Sequence, residues 1–234
     1  MKLNSIRIHA TARIHPTAII EEGVSIGAGT SVWDNVHIRK NTAIGENCII
    51  GEKTYIAYDV RIGNTVKINS FVYICTGVTI EDQVMISAGT IFTNDRFPRA
   101  FNTDGYSIKT SDPTEETLET RVRRGVTIGA GCMIGPGIEL GEFCMIGMGS
   151  VLTRDVDPYQ LVYGSPAKHK GFVCVCGEPL RKIDGEKQMA EVKTSNISLE
   201  IFCLKCYRKY SLSPHNCLTL IGRTDFPFYQ RPEK

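Results

Sequence analysis

The chain is poor in tryptophan and in aromatics generally: Trp33 stands alone among 234 residues, and Phe, Trp and Tyr together make up 8%. It has no apolar run of about 18 residues, so no helical membrane span is expected. Neither sign of charge dominates, with 27 Lys and Arg against 25 Asp and Glu and a net charge of +2. That balance gives no electrostatic reason to expect nucleic acid or an anionic membrane as partner. The opening residues, MKLNSIRIHA, lack the apolar stretch and cleavage site of a secretory leader. The nine cysteines are odd in number and five of them stand singly, a pattern that fits a reducing compartment, so a cytoplasmic location is expected. What the chain does have is 22 glycines, and the question is whether they keep a period.

They do, and the period is six. Steps of six from Ile8 reach Ile14, Ile20, Ile26, Val32, Ile38, Ile44, Ile50, Ile56, Ile62, Ile68, Ile74, Ile80, Ile86 and Phe92. After a gap the series resumes in phase at Val122, Ile128, Ile134, Leu140, Ile146 and Leu152. Four residues past each mark sits a small or β-branched residue, such as Val24, Thr30, Cys48, Val84, Cys132 or Ser150. Glycine often follows the mark, as at Gly27, Gly45, Gly129 and Gly147. A six-residue period suits neither a 3.6-residue helix nor a hairpin meander. It suits a solenoid whose coils have three flat faces, each of one short strand and one turn. The mark and the small residue point inward, while glycine, Asn and Asp take the corners, where unusual backbone angles are needed. Three sixes per coil give about seven coils. Cys48, Cys132 and Cys144 fall at the small inward position and read as compact core fillers.

The period breaks over about residues 93–121, where a polar, turn-rich excursion begins TNDRFPRAFN. Long loops on rigid scaffolds commonly carry function.

The repeats resemble those of the hexapeptide-repeat acyltransferases, over about residues 8–170. The segment IFTNDRFPRA (91–100) is similar to a motif of a narrower branch, the N-acetyltransferases of nucleotide-linked 3-amino sugars, which includes UDP-2-acetamido-3-amino-2,3-dideoxy-glucuronate N-acetyltransferase. The stretch GMGSVLTRDVDPYQLVYGSPAK (147–168) is similar to the family's last coil and cap. The resemblance implies an all-β, left-handed parallel β-helix with a protruding loop. It implies a homotrimer with active sites in the clefts between neighbouring helices. It also implies an acetyl-CoA-dependent transfer to the amine of a UDP- or dTDP-linked sugar, in precursor synthesis for lipopolysaccharide, capsule or another glycan. Asn94 is then expected to hold and orient the amine, with Asp95 as an alternative base or amine partner.

The chemistry needs few parts: an unprotonated amine near the thioester, a donor for the oxyanion, and an exit for a proton. No histidine lies in the loop, which favours a nitrogen nucleophile over a hydroxyl. O-acetylation of a sugar or another small acceptor is the enzymatic alternative, and a non-catalytic scaffold the other. The three-histidine zinc site of a β-helix carbonic anhydrase is not expected, since only His37 is plausibly near the wall. Arg99 is a candidate for a substrate phosphate; Tyr73, Trp33 and His37 are candidates for contacts to a base or sugar. For the coenzyme, Gly129, Ala130, Gly131, Gly147, Met148 and Gly149 offer a small-residue edge to the pantetheine arm. Arg154 and Lys168 suit its phosphates.

After residue 170 the period stops, and residues 171–234 read as a separate module, small enough that it can barely bury a core. It carries CVCG, with Cys174 and Cys176, and CLKC, with Cys203 and Cys206, the two pairs separated by 26 intervening residues. Four thiolates in two close pairs fit a structural four-cysteine zinc ribbon, with His215 or Cys217 as possible substitutes. KQMAEVKT, ISLEIF and KYSLS read as its short strands. A similar CxCG tail often ends the uronate-specific members of the branch named above.

Overall fold

The computed structural model describes residues 5–110, 112–115, 117–180, 199–215 and 217–223. Twenty-one short strands from Arg7–Ile8 to Val151–Leu152, three to a coil, make seven coils of a parallel β-helix. Each strand pairs with its counterpart in the next coil, eighteen residues on within each block, as Ile8 with Ile26 and Ile62 with Ile80, and across the excursion, as Ile80 with Val122. The result is three flat parallel sheets. The first face starts at Arg7–Ile8, the second at Arg13–Ile14 and the third at Ile19–Ile20. No helix occurs among the described residues.

The inward marks fill the axis. Ile38, Ile50, Ile56, Ile74, Ile86 and Phe92 are fully buried, each burial stabilising the coil by roughly 2–3 kcal/mol. Ile8 differs: it is 40% exposed, and Ile14 and Ile20 are half-buried, because no coil covers the first one from below. The small inward position admits polar groups because a corner carbonyl is within reach. The Thr30 hydroxyl donates to Gly45 O at 2.8 Å, and that of Thr42 to Ala57 O at 2.8 Å. Cys48 and Cys132 repeat the arrangement with a thiol, donating to Gly63 O at 3.2 Å and Gly147 O at 3.3 Å. These cysteines are core fillers that also satisfy a buried acceptor.

The reason for the glycines differs from the expected one. The glycine that follows a mark is kept for clearance: a Cβ on Gly27 would lie 2.6 Å from the backbone carbonyl carbon of Gly45 in the next coil. The left-handed backbone falls two residues later, where Asn35, Lys53 and Phe71 adopt it as well as glycine.

The excursion runs from residue 93 to 119, and Arg121 already belongs to the strand Thr120–Val122 of the sixth coil. Beyond the seventh coil, strand Gln160–Gly164 extends the second face in parallel, and Ala167–Phe172 pairs with it antiparallel. A second core follows, of Phe172, Cys174, Leu180, Ile201, Cys203, Tyr210, Leu212 and Leu218. Its antiparallel sheet consists of Leu199–Phe202, Arg208–Leu212 and Leu218–Arg223. The expected strands in ISLEIF and KYSLS fall on the first two of these; KQMAEVKT lies outside the described residues.

Candidate functional site

The excursion leaves the corner between the third and first faces and folds back over coils two to five. Between it and the wall lies a cavity of about 540 Å³. Its wall side is built from positions eighteen residues apart. Tyr55 and Tyr73 stand in register on the third face, their rings stacked at 5.3 Å and 5°. Along the corner, Tyr58, Thr76 and Asn94 form a second file: the Thr76 hydroxyl donates to Tyr58 O at 2.9 Å, and Asn94 Nδ2 donates to Thr76 O at 3.3 Å. The Asn94 carbonyl in turn accepts from Leu118 N at 3.1 Å, where the loop returns. With Nδ2 committed, Oδ1 is the Asn94 atom left to accept from a ligand.

Asp95 lines the same cavity, but its Oδ1 also accepts from Phe97 N at 2.9 Å and shapes the loop. Arg99 lines the opposite side, with Nη1 donating to Pro98 O at 3.2 Å. Asn94, Asp95, Arg99 and Tyr73 therefore come together. His37 does not join them. It sits two coils below Tyr73 with Nε2 2.8 Å from Glu21 Oε1, and its ring meets the Tyr55 edge at 5.5 Å. Trp33 stands exposed on another corner.

The sequence reading missed Arg39, Tyr55, Tyr58, Cys75 and Thr76. The eighteen-residue offset of a three-faced coil was the available signal, since it carries Tyr73 to Tyr55 and Asn94 to Thr76 and Tyr58. Arg39 is held by Glu21, with Nε 2.6 Å from Oε1, and its Nη1 donates to the Tyr55 hydroxyl at 2.7 Å. Cys75 is 4% exposed at the cavity wall, and burial pushes its thiol up to about 12.

The glycine candidates lie on the corner between the second and third faces. Gly131 N donates to Ala88 O at 2.9 Å and Gly149 N to Ala130 O at 2.8 Å, so the corner residues stack coil on coil. The stack includes Ser87, Ala88 and Gly89, which the sequence reading did not single out. Its glycines are of two kinds. A Cβ on Gly129 would meet Met148 N at 2.5 Å and one on Gly147 the Tyr163 Cβ at 2.7 Å, so coil spacing accounts for both. A Cβ on Gly131 or Gly149 would meet nothing within 4 Å. Earlier coils carry Asn35, Lys53 and Phe71 at the equivalent position, in the same left-handed conformation. From Gly89 upward the corner is thus stripped of side chains that the turn itself tolerates.

Arg154 and Lys168 share a separate cavity of about 340 Å³ above the last coil. The acidic residues there are committed, Asp155 Oδ1 to Glu139 N at 2.8 Å and Asp157 Oδ2 to Gln160 Nε2 at 2.8 Å.

The four tail cysteines converge. Their Sγ atoms all lie within 4.8 Å of one another, with Cys174 to Cys206 at 3.3 Å and Cys176 to Cys203 at 3.5 Å. A tetrahedral zinc at about 2.3 Å from each sulfur separates the sulfurs by about 3.8 Å, so the set fits such an ion. Burial pushes the Cys203 thiol up to about 12. At Cys206 burial acts the same way, but the Arg208 amide, Cys174 and the Arg208 guanidinium outweigh it and bring the thiol down to about 6. Arg208 Nη1 donates to Cys206 Sγ at 3.1 Å and the Tyr210 hydroxyl to Cys174 Sγ at 3.0 Å, outer contacts of the kind that steady thiolate ligands. His215 and Cys217 lie outside the cluster.

A six-residue repeat coiled into three parallel faces, with a loop over one corner, defines the class of fold: a three-faced parallel β-helix. Residues 119–154 match the family model for the bacterial transferase hexapeptide (six repeats), and residues 3–94 match that for the GMPPB C-terminal domain. A curated relative, the dTDP-3-amino-3,6-dideoxy-alpha-D-galactopyranose 3-N-acetyltransferase of Aneurinibacillus thermoaerophilus, is 42% identical over 67 residues. The match covers 29% of this chain and 35% of that protein, so it spans only about a third of the relative's length. Among solved structures, AntD, an N-acyltransferase from Bacillus cereus, in complex with dTDP-4-amino-4,6-dideoxyglucose and coenzyme A, is 19% identical over 71% of this chain and 82% of its own, with a TM-score of 0.44. PerB from Caulobacter crescentus, in complex with CoA and GDP-perosamine, is 21% identical over 72% of this chain and 58% of its own, with a TM-score of 0.35.

Proposed function

We propose that this chain is an acetyl-CoA-dependent N-acyltransferase of a nucleotide-linked amino sugar, acting at the 3-amino group of a UDP- or dTDP-sugar. The observation that carries the reading is Asn94. It stands in a roofed cavity beside a tyrosine stack, with its amide nitrogen tied to Thr76 O and its Oδ1 without a partner among the described residues. An acceptor so placed takes an N–H of a neutral amine and turns the nitrogen lone pair toward the thioester carbonyl. The nitrogen attacks that carbon, the C–S bond breaks and the coenzyme leaves as its thiolate, and the proton lost by the nitrogen passes through Asp95 or water to that sulfur to give the free thiol. Orientation of this kind supplies several kcal/mol. No imidazole lines the cavity among the described residues, and a neutral amine needs none, whereas a hydroxyl wants a base. Cys75 is held protonated by burial, which disfavours an acyl-cysteine relay. The Aneurinibacillus relative's name supports the substrate class.

The open corner at Gly89, Gly131 and Gly149 is read as the pantetheine groove and the Arg154–Lys168 cavity as the phosphate site. The assembly is read as a homotrimer, supported by exposed Ile19, Tyr73, Ile91 and Met133 along the third face and by Trp33, Phe71 and Met148 at its edge. The four cysteines are read as a zinc site; bound zinc supplies a cross-link for a core too small to stand alone. No helix of the described residues is long and apolar enough to cross a membrane, and the reaction is read as a cytoplasmic step in glycan precursor synthesis.

The test is thiol release from acetyl-CoA against UDP- and dTDP-linked 3-amino and 4-amino sugars, with Asn94→Ala alongside. Turnover of a 3-amino sugar that collapses in the variant supports the reading. Turnover of hydroxyl acceptors only would replace it with O-acylation, and absence of coenzyme binding would leave a scaffold.

A further inference from the structure

The strand Ala167–Phe172 joins two places that are otherwise apart. At its start, Lys168 and His169 line the cavity that also holds Arg154. Two residues past its end stands Cys174, 1% exposed and part of the four-thiol cluster. Phe172 faces both ways: its ring meets His169 at 4.9 Å, and it is buried in the core shared with Cys174, Cys203 and Tyr210.

The strand is the last of its sheet and hydrogen-bonds only to Gln160–Gly164 along that sheet. An edge strand with one neighbour is held in place by what anchors its ends. Its far end is anchored through the cysteine module. Val173 N donates to Tyr159 O at 2.8 Å and Leu180 N to Phe172 O at 2.9 Å. Tyr159 is in turn gripped from both sides, stacked on Phe143 at 5.7 Å and met edge-on by Tyr210 at 5.7 Å. Tyr210 is locked by its own hydroxyl, which donates to Cys174 Sγ and accepts from Val175 N at 3.0 Å. Two of the residues that make this core, Cys174 and Cys203, are themselves cluster members. A core this small depends on a cross-link for its order.

We infer that a tetrathiolate metal ion on the four cysteines clamps the strand that carries Lys168, so that occupancy of the metal site sets the affinity of the Arg154–Lys168 cavity for the phosphates of coenzyme A. This rests on the reading of that cavity as the coenzyme's phosphate site. The metal is then a remote positioning element for the acyl donor, and takes no part in the chemistry of transfer.

The full chain is compared as zinc-loaded, chelator-stripped under reducing conditions, and reloaded with zinc. Amide hydrogen exchange is followed along the chain, with titrations of coenzyme A and of UDP. Stripping speeds exchange over residues 167–174 at least tenfold and weakens coenzyme A at least tenfold. Exchange in coils two to five and any UDP affinity stay unchanged, and zinc restores the rest. Cys206→Ser, at the half-exposed ligand, behaves like the stripped protein and zinc does not rescue it. Unchanged exchange over 167–174 in a protein that binds coenzyme A overturns the clamp alone. Exchange that rises uniformly through all coils overturns it too, as general unfolding. A zinc-loaded protein that binds no coenzyme A overturns the reading of the cavity and this coupling with it, whatever the exchange shows.

Discussion

Replacing Gly131 with Asn separates what the turn needs from what a ligand needs. Gly131 has φ +68 and stands at a corner whose equivalents in coils two to four are Asn35 at φ 54, Lys53 at φ 56 and Phe71 at φ 60. A left-handed backbone costs a residue with a Cβ roughly 1–2 kcal/mol, and Asn sits at the low end of that range. The new Cβ meets nothing within 4 Å, so no packing strain adds to it. A cost of about 1 kcal/mol lowers Tm by about 2–4 °C in a chain of this size. The pantetheine arm, if it lies along Gly89, Gly131 and Gly149, loses its approach to the backbone, and coenzyme affinity is expected to fall at least tenfold, or about 1.4 kcal/mol. Calorimetric titration of coenzyme A and a thermal melt of the same sample read the two effects. Sedimentation of that sample keeps loss of assembly apart from loss of binding. Asn35→Gly, on a coil below the open stretch, is the control and leaves coenzyme affinity unchanged. A Gly131→Asn protein that binds coenzyme A within twofold of the parent would refute the groove. A Tm fall beyond about 6 °C would instead show that the fold needs this glycine.

Asn94→Ala, which loses the bond to Thr76 O and the free acceptor, is expected to lower kcat/KM for the amino sugar about a hundredfold with little change in KM for acetyl-CoA; an equal rise in both KM values would argue for a general collapse of the loop. Cys75, pushed up to about 12, is about one part in ten thousand thiolate at pH 8. Mass spectrometry after brief iodoacetamide treatment should therefore find exposed Cys217 alkylated and Cys75 intact, and early labelling of Cys75 would contradict its burial. Partial burial raises the Glu21 carboxyl, but bonds from Arg39, His37 and the Lys40 amide outweigh it and hold the group below its ordinary 4.5. A carboxylate lowered on folding contributes its full stability above 4.5 and loses it as pH falls through the folded value. The difference between the melts of the parent and of Glu21→Gln should accordingly be constant from pH 7 to about 5 and shrink below 4.5, and an unchanged acid slope in Glu21→Gln would exclude this ion pair as a cause.

The fold was legible because each mark such as Ile38 or Ile86 must be apolar to close a coil, and no other architecture demands that at every sixth residue. Asn94, Asp95 and Arg99 were legible as candidates because they lie in the break of the period, and Tyr73 as an aromatic on the outer wall. Their neighbours were not, since Tyr58 and Thr76 look like ordinary corner residues until the eighteen-residue offset is applied. The fold-back of the loop has no periodic signature at all. His37 shares its face with Tyr73 but stands two coils below it, 2.8 Å from the Glu21 carboxylate. The CVCG and CLKC pairs announced a cluster, while spacing alone does not say which sulfurs approach; the short distances run across the pairs, Cys174 to Cys206 and Cys176 to Cys203.

A repeat protein carries its own controls, and they sharpen the assignment of function. The same corner occurs seven times, so the demands of the turn are read from the coils where nothing else is asked of it. Phe71 shows that the left-handed position tolerates a large side chain, and the glycines above it then need a reason outside the turn. Cysteine is sorted by the same comparison. Cys48 and Cys132 occupy the inward site where Thr30 and Thr42 stand in other coils, and they make the same bond to a corner carbonyl. Cys75 occupies a corner whose equivalents are Arg39, Ala57 and Thr93, and from the edge of the core it also lines the cavity beside the tyrosine stack. One residue type therefore has two meanings, set by its place within the coil. The positions to mutate first are those, like Gly131 and Cys75, where the residue present is not the one the repeat requires.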